Sequence, residues 1–243
     1  MSHPHQPVVD PRDTPIPADE VNANTHYLMY SVFQTIGAVD PDHVAAAEKA
    51  LADTGVTIRG YYDIGGFRAD ADLLVWLVDD DPAALQAAYH ALRRSDLGAS
   101  LEPVWSCIGV HRPAEFNRGH TPACFSGVAP RPWLCVYPFV RSYDWYYLDD
   151  DHRSKMLSEH GRMGREYPDV LGSTTSAFAL NDYEWLLAFE ADDLHRLTDA
   201  MRYQRGAEAR LHVREETPFF TGPRVTLTEW ASRQPSMTSF MRE

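Results

Sequence analysis

Leu134–Glu166, LCVYPFVRSYDWYYLDDDHRSKMLSEHGRMGRE, changes its hydrophobic period partway along and so divides into two elements. Leu134-Cys135-Val136-Tyr137 reads as a strand that passes Pro138 and continues to Arg141. An aromatic patch follows, with Tyr143, Trp145, Tyr146 and Tyr147. With Asp151 or His152 starting the next element, Met156, His160, Met163 and Tyr167 recur at spacings of four, three and four, one stripe of a 3.6-residue helix.

Outward from this stretch the same grammar repeats. Downstream, Val170–Leu180 is a predicted strand, Asn181-Asp182 a turn and Glu184–Glu190 a second strand. Asp192–Arg205 is a predicted helix, and Arg210–Arg214 leads into a last strand. Upstream, Tyr27–Gln34 is a strand, and Asp40-Pro41 opens a helix over His43–Asp53, since an N-cap aspartate before proline is a helix start. Val56–Asp63 and Ala71–Val78 are strands around the Gly65-Gly66 turn; Asp81-Pro82 opens a helix over Ala83–Arg94, and Leu101–Val110 is a strand. Each half reads β-α-β-β-α-β, the ferredoxin-like unit, and duplication decides the architecture. The expected fold is α+β: two fused ferredoxin-like halves whose sheets form a barrel-like dimeric α+β barrel, helices outside. The expected divisions are a flexible arm at 1–24, halves at 25–110 and 133–232, a connecting loop at 111–132 and a tail at 233–243. A connection that long is expected to serve function or cover a site.

Composition narrows the class. Of 243 residues, 44% are hydrophobic and 12% aromatic, enough for a substantial core. A formal net charge of -13 argues against nucleic-acid binding, although converging arginines can still hold an anionic ligand. Cys107, Cys124 and Cys135 have no zinc spacing and read as reduced thiols of a cytoplasmic protein. The polar, proline-rich N-terminus has no apolar h-region, and no apolar run approaches the roughly 20 residues of a membrane span.

Several side chains point to chemistry. His160 sits in an apolar stripe beside Gly161 and Gly164, and helical glycine costs about 1 kcal/mol relative to alanine, which suggests the approach of something wide and flat. Such an imidazole is how a helix offers an axial ligand to haem iron; the other reading is a core histidine with satisfied nitrogens. Tyr137, Phe139 and Arg141 share a strand face, placing an oxidisable phenol and a cation on one wall, or else a packed aromatic and a rim arginine. Pro138 weakens ladder pairing and suggests an edge or a distortion. His120, in a Gly/Pro-punctuated loop, is either an idle surface residue or a general acid/base. Arg205 and Arg210 either complement a helix dipole or clamp carboxylates. Glycine-rich phosphate loops, HExxH, Cys-x-x-Cys and G-x-S-x-G are absent.

Taken together, Tyr137-Pro138-Phe139-Val140-Arg141, Asp144-Trp145-Tyr146, His160, Asn181–Trp185 and Thr217–Gly222 resemble the chlorite dismutase-like superfamily, and within it the actinobacterial coproheme decarboxylases (HemQ-type proteins). The resemblance runs from about Tyr27 to Glu229, with Phe139 where many relatives carry methionine, a volume-similar apolar exchange. It implies that His160 is the proximal iron ligand, Tyr137 the radical-bearing tyrosine, His120 the distal histidine and Trp145 a pocket tryptophan able to serve as a second radical site. Arg141, Arg205 and Arg210 would contact propionates. It further implies iron-coproporphyrin III (coproheme) as a substrate that is its own redox cofactor, hydrogen peroxide as oxidant and haem b as product. His120 would move the peroxide proton, and the Tyr137 radical would take hydrogen from a propionate β-carbon, releasing CO2. A homopentamer and a transient contact with ferrochelatase are also implied, with no nucleic acid. Two other readings compete: a chlorite dismutase or haem peroxidase of the same superfamily, which needs a distal arginine and no Tyr137, and a haem carrier or sensor, which needs only the histidine.

Overall fold

The structure, a computed structural model, describes residues 10–236. Its N-terminal half runs β1 (Tyr27–Thr35), α2 (Val44–Ala52), β2 (Thr57–Asp63), β3 (Leu73–Asp79), α3 (Pro82–Arg94) and β4 (Leu101–Val110), preceded by the short α1 (Ala18–Ala23). The C-terminal half runs β5 (Trp133–Arg141), α4 (Asp150–Gly164), β6 (Leu171–Ser176), β7 (Trp185–Ala191), α5 (Leu194–Gln204), β8 (Val213–Glu215), β9 (Phe220–Val225) and α6 (Leu227–Arg233). The local start signals act as their chemistry requires. Asp40, Asp81 and Asp149 each accept a hydrogen bond from a backbone N–H just inside the helix that follows.

Every strand pairing is antiparallel, in the order β4-β1-β3-β2 in one half and β9-β5-β7-β6 in the other. The halves join where Tyr61 and Tyr62 pair with Val225 and Arg224, and where Val110 pairs with Ser176. Eight strands therefore close into a ring, with β8 added at the far end of β5, and the α+β expectation of two fused ferredoxin-like halves holds. Closure leaves no free edge among the eight and creates an inside. Leu28, Tyr30, Tyr62, Trp76, Leu134, Val136, Leu186 and Phe220, drawn from both halves, fill it. Outside, α2, α3 and α6 cover the first half through Leu51, Leu85, Leu92 and Trp230. The outer face of the second half carries Cys135, Tyr137 and Phe189 against Leu197 and Met201 of α5. Among the described residues no helix is long and apolar enough to cross a membrane.

Five local expectations change. Pro138 lies on a strand paired on both sides, not at an edge. β9 stops pairing at Val136 and β8 begins at Val140, so the missing N–H falls in the gap between them. The strand expected over 170–180 ends at Ser176, because the backbone turns at Ala177 and Ala179 takes φ 62°. The segment 210–214 is mostly a 3-10 turn, and the final ring strand begins only at Phe220. Helix α6, set by a Thr226–Glu229 capping box, spans the boundary expected between half and tail. Finally, residues 10–24 of the expected flexible arm are docked. The amides of Thr14 and Ile16 donate to Gly127 and Ser126 carbonyls at 2.8 and 2.9 Å. Arg12 reaches Asp192 at 2.8 Å, and Asp13 binds Arg131 at 2.9 Å. Gly127, at φ +69°, is required there, since a Cβ would sit 1.9 Å from the Thr14 carbonyl oxygen. Polar composition suggested freedom, but these polar groups have partners over a hundred residues away. Residues 1–9 of that arm and 237–243 of the tail lie outside the described residues.

The docking predicts an acid response. The Arg131 guanidinium holds the Asp13 carboxyl below its ordinary value. A depressed carboxyl stabilises the folded state above its unfolded pKa of about 3.9 and loses that contribution as pH falls through the lower folded value. Protection of the Thr14 and Ile16 amides from hydrogen exchange is expected to hold at pH 5 and to drop selectively in the acid range below about 3.9. Equal protection at both ends of that range would refute the coupling.

Candidate active site

Strand alternation on β5 turns Tyr137 to the outer face of the second half, where α5 and the segment before β9 close over it. The Tyr137 ring is 6% exposed and stacks on Phe219 at 4.4 Å between centroids. Its hydroxyl donates to Met201 Sδ at 3.5 Å, a weak acceptor. Burial pushes the phenol well above its ordinary pKa, with Cys135 and the Glu216 carboxylate adding to the effect and Arg205 and Arg210 opposing it. The phenol is therefore neutral, and its oxidation must shed a proton.

Four residues on, Arg141 lies in an aromatic bracket, its guanidinium 4.0 Å from the Trp145 ring centre and 4.9 Å from that of Phe139. Among the described residues its head group makes one hydrogen bond, a long one, 3.4 Å to the Ala209 carbonyl. Among the described residues no carboxylate pairs with it, and burial brings its pKa down to about 10. Glu184 acts on it from beyond ion-pair distance, and a cation that still carries its charge at neutral pH with no carboxylate in contact is a place for an anionic ligand. The strand end in this bracket is pinned by Glu184, whose Oε2 accepts the Arg141 amide at 2.8 Å and the Tyr146 hydroxyl at 2.7 Å.

His160 projects from α4 with surface open to solvent, and among the described residues its imidazole has no hydrogen-bond partner; its backbone carbonyl accepts from Gln204. Surrounding protein nevertheless desolvates the ring, and together with Arg141 and His120 it depresses the pKa. A ring both accessible and hemmed in lines a cleft, and its neutral form leaves a nitrogen lone pair free at neutral pH. His120 is likewise exposed and has its pKa lowered by burial, and it lies near enough to act on His160. Trp145 is 4% exposed among Met156, Leu148, Leu157 and Ala209. The structure thus brings His160, His120, Arg141 and Trp145 to one region. Arg205 and Arg210 stand by Tyr137, but both bind Glu216, at 2.9 and 2.8 Å, leaving that trio one net positive charge.

The helix stripe is only partly the expected one. Met156 and Met163 are buried, while His160 keeps solvent-accessible surface. The two glycines also differ: a Cβ on Gly164 would come within 3.2 Å of Gln204 Nε2, so that glycine serves the approach of α5, whereas a Cβ on Gly161 would meet only the Arg165 guanidinium, at 4.0 Å. Glu216 and Met201 were not singled out from the sequence, and Phe219 entered only within the Thr217–Gly222 motif, because a strand-face rule says nothing of what distant segments lay over that face. Among the described residues no group of three or more His, Cys, Asp or Glu side chains could hold a bare metal ion. One free, neutral imidazole in a cleft beside unpaired positive charge fits instead an iron already carried in an anionic macrocycle.

A family model described as chlorite dismutase matches residues 40–225. A coproheme decarboxylase of Mycolicibacterium smegmatis is 49% identical over 225 residues, 89% of this chain and 97% of that protein. A coproheme decarboxylase of Staphylococcus saprophyticus is 22% identical over 184 residues, 69% of this chain and 73% of that protein. Among solved structures, a variant chlorite dismutase from Candidatus Nitrospira defluvii superposes with a TM-score of 0.76 at 18% identity, covering 86% of this chain and 94% of that one.

Proposed function

The chain belongs to the chlorite dismutase family, and on that footing we propose that it is a coproheme decarboxylase. It converts coproheme to haem b by oxidative loss of two carboxyl groups. The observation that carries this reading is the cleft in which the free imidazole of His160 meets the unpaired guanidinium of Arg141, one suited to iron and the other to a propionate. We take hydrogen peroxide as the oxidant. Each round then balances as propionate plus H2O2 plus one proton giving vinyl, CO2 and two waters. The substrate's own iron supplies the oxidising power once peroxide reaches it.

The chain's residues handle position and protons. His160 binds the iron through its neutral nitrogen. Arg141 neutralises a propionate, and its aromatic bracket of Trp145 and Phe139 limits where that carboxylate can sit. Arg205 and Arg210 offer a second anionic subsite that Glu216 already half fills, so they favour one carboxylate and not two. His120, unprotonated at neutral pH, is ready to accept the first proton of peroxide and return it to the departing oxygen. Tyr137 gives up its hydroxyl hydrogen and then takes one from the propionate. A homopentamer and hand-over from a ferrochelatase in the cytoplasm belong to the same proposal.

The test is to add peroxide to coproheme-loaded protein and follow the porphyrin by mass. Two successive losses of CO2 plus two hydrogens are expected. Unchanged porphyrin, with oxygen released from chlorite, would overturn the reading in favour of a chlorite dismutase. Two binding variants sharpen it. Arg141→Leu removes a charge-assisted contact of roughly 1.5–3 kcal/mol and should weaken coproheme binding about 10- to 100-fold by titration. His160→Ala is expected to lose the imidazole-bound spectrum while retaining the fold by circular dichroism; an unaltered spectrum would remove His160 as ligand.

A further inference from the structure

His120 sits on a loop with little packing of its own, so what holds it in place matters to any chemistry it performs. Two tethers bracket the segment before it. From α4, Arg153 binds Glu115 at 3.0 Å and lies 5.6 Å from the Phe116 ring centre. From the opposite side comes Asn22 of α1, the helix of the docked N-terminal segment. Its Nδ2 donates to the Arg118 carbonyl at 2.7 Å, and its Oδ1 accepts from Nε2 of His111 at 3.0 Å. The orientation is not arbitrary: a carbonyl oxygen can only accept, so the amide must turn its NH2 to Arg118 and its oxygen to His111. This in turn makes His111 the Nε2–H tautomer. His111 is 2% exposed and its Nδ1 has no partner among the described residues, so the ring is a fixed, uncharged anchor at the end of β4. A proton on Nδ1 would meet no acceptor, in keeping with a pKa depressed by burial, by His26 and by Arg112. From Arg118 the chain makes one turn, closed by the His120 amide donating to the Asn117 carbonyl at 3.0 Å, and His120 follows.

We propose that Asn22 is a positioning residue for His120: its amide spans from the buried His111 anchor to the Arg118 carbonyl and so ties the loop of the distal histidine to the N-terminal helix. The proposal rests on His120 acting on peroxide. It assigns the N-terminal helix a part in the reaction through the loop that carries His120. One carboxamide makes both bonds, so a single substitution severs them.

Three full-length variants test it. Asn22→Leu removes both bonds at nearly constant volume. Asn22→Asp keeps an acceptor for His111 and loses the donor to Arg118, which guards against a folding defect in the leucine variant. His120→Phe removes the imidazole itself. In ligand-free protein, amides 117–120 are expected to exchange hydrogen about tenfold faster in both Asn22 variants, and at the parent rate in the His120 variant. In coproheme-loaded protein, Asn22→Asp is expected to slow the reaction with peroxide about tenfold while coproheme affinity stays within about twofold, and His120→Phe to slow it about 100-fold. The double variant should be no slower than His120→Phe alone, because a positioning residue has nothing left to position. Parent-rate exchange in Asn22→Asp would overturn the tether and leave His120 assigned. Losses that add in the double variant would overturn the positioning role. Unchanged peroxide reactivity in His120→Phe would overturn the assignment of His120 and with it the tether's purpose.

Discussion

Tyr137→Phe is expected to end decarboxylation, lowering turnover at least about 1,000-fold, equivalent to roughly 4 kcal/mol of barrier, while coproheme still binds. The geometry makes this substitution unusually clean. The ring's packing against Phe219 and Phe189 survives, since phenylalanine fills the same space. Among the described residues the hydroxyl's one partner is Met201 Sδ, so its removal leaves no strong donor or acceptor stranded. What disappears is the O–H itself. Burial keeps that group protonated in the resting protein, so the hydrogen is present to be given and the oxygen able to take one back. The measurement is mass-resolved turnover beside a coproheme titration. Continued formation of vinyl products by the phenylalanine variant would remove Tyr137 from the chemistry; loss of both binding and turnover would make it a wall residue. A haem carrier would be indifferent to the change.

The second large effect lies inside the ring and away from the cleft. Arg59 of β2 donates to Glu190 of β7 through Nε at 2.9 Å, and the two side chains are 6% and 1% exposed. The Glu190 carboxylate also accepts the Arg131 amide at 3.2 Å, and Arg59 reaches the Val128 carbonyl at 3.0 Å and lies 4.9 Å from the Trp76 ring centre. Burial pushes the Glu190 carboxyl up, while Arg59 and the Arg131 amide pull it back. Removing one partner leaves a dry, uncompensated charge. Glu190→Gln or Arg59→Met alone is expected to lower unfolding free energy by about 3–5 kcal/mol in urea, whereas Arg59→Met with Glu190→Leu should restore most of it. Single losses below about 1 kcal/mol would mean that water reaches the pair. Because the partners belong to different halves and also hold the end of the connecting loop, single variants should unfold both halves together.

Much of this protein is written locally. The Asp40-Pro41 and Asp81-Pro82 starts need only their own backbone, and the β-α-β-β-α-β order, read twice, carries the two-lobed fold. Alternation on β5 alone puts Tyr137, Phe139 and Arg141 on one face, and helix period puts Met156 and Met163 inward. These follow from the periods 2 and 3.6 of a regular backbone, which neighbours in sequence are enough to specify.

Other features arise only when distant segments meet. Ring closure depends on seams as small as Val110 against Ser176, with no signal in either strand. The Arg59–Glu190 pair, the Asn22 bridge and the neutralisation of Arg205 and Arg210 by Glu216 are charge and hydrogen-bond matches whose partners no periodicity reveals. Even the docked residues 10–24, polar and proline-rich, look free until Gly127 and Arg131 come under them. By itself the sequence determined the order of the main strands and helices and which side chains share a face, because those are short-range steric facts. Tertiary structure decided which charges are spent on one another and which, like Arg141 and His160, stay free for a ligand, because pairing between groups far apart in the chain exists only once the fold has closed.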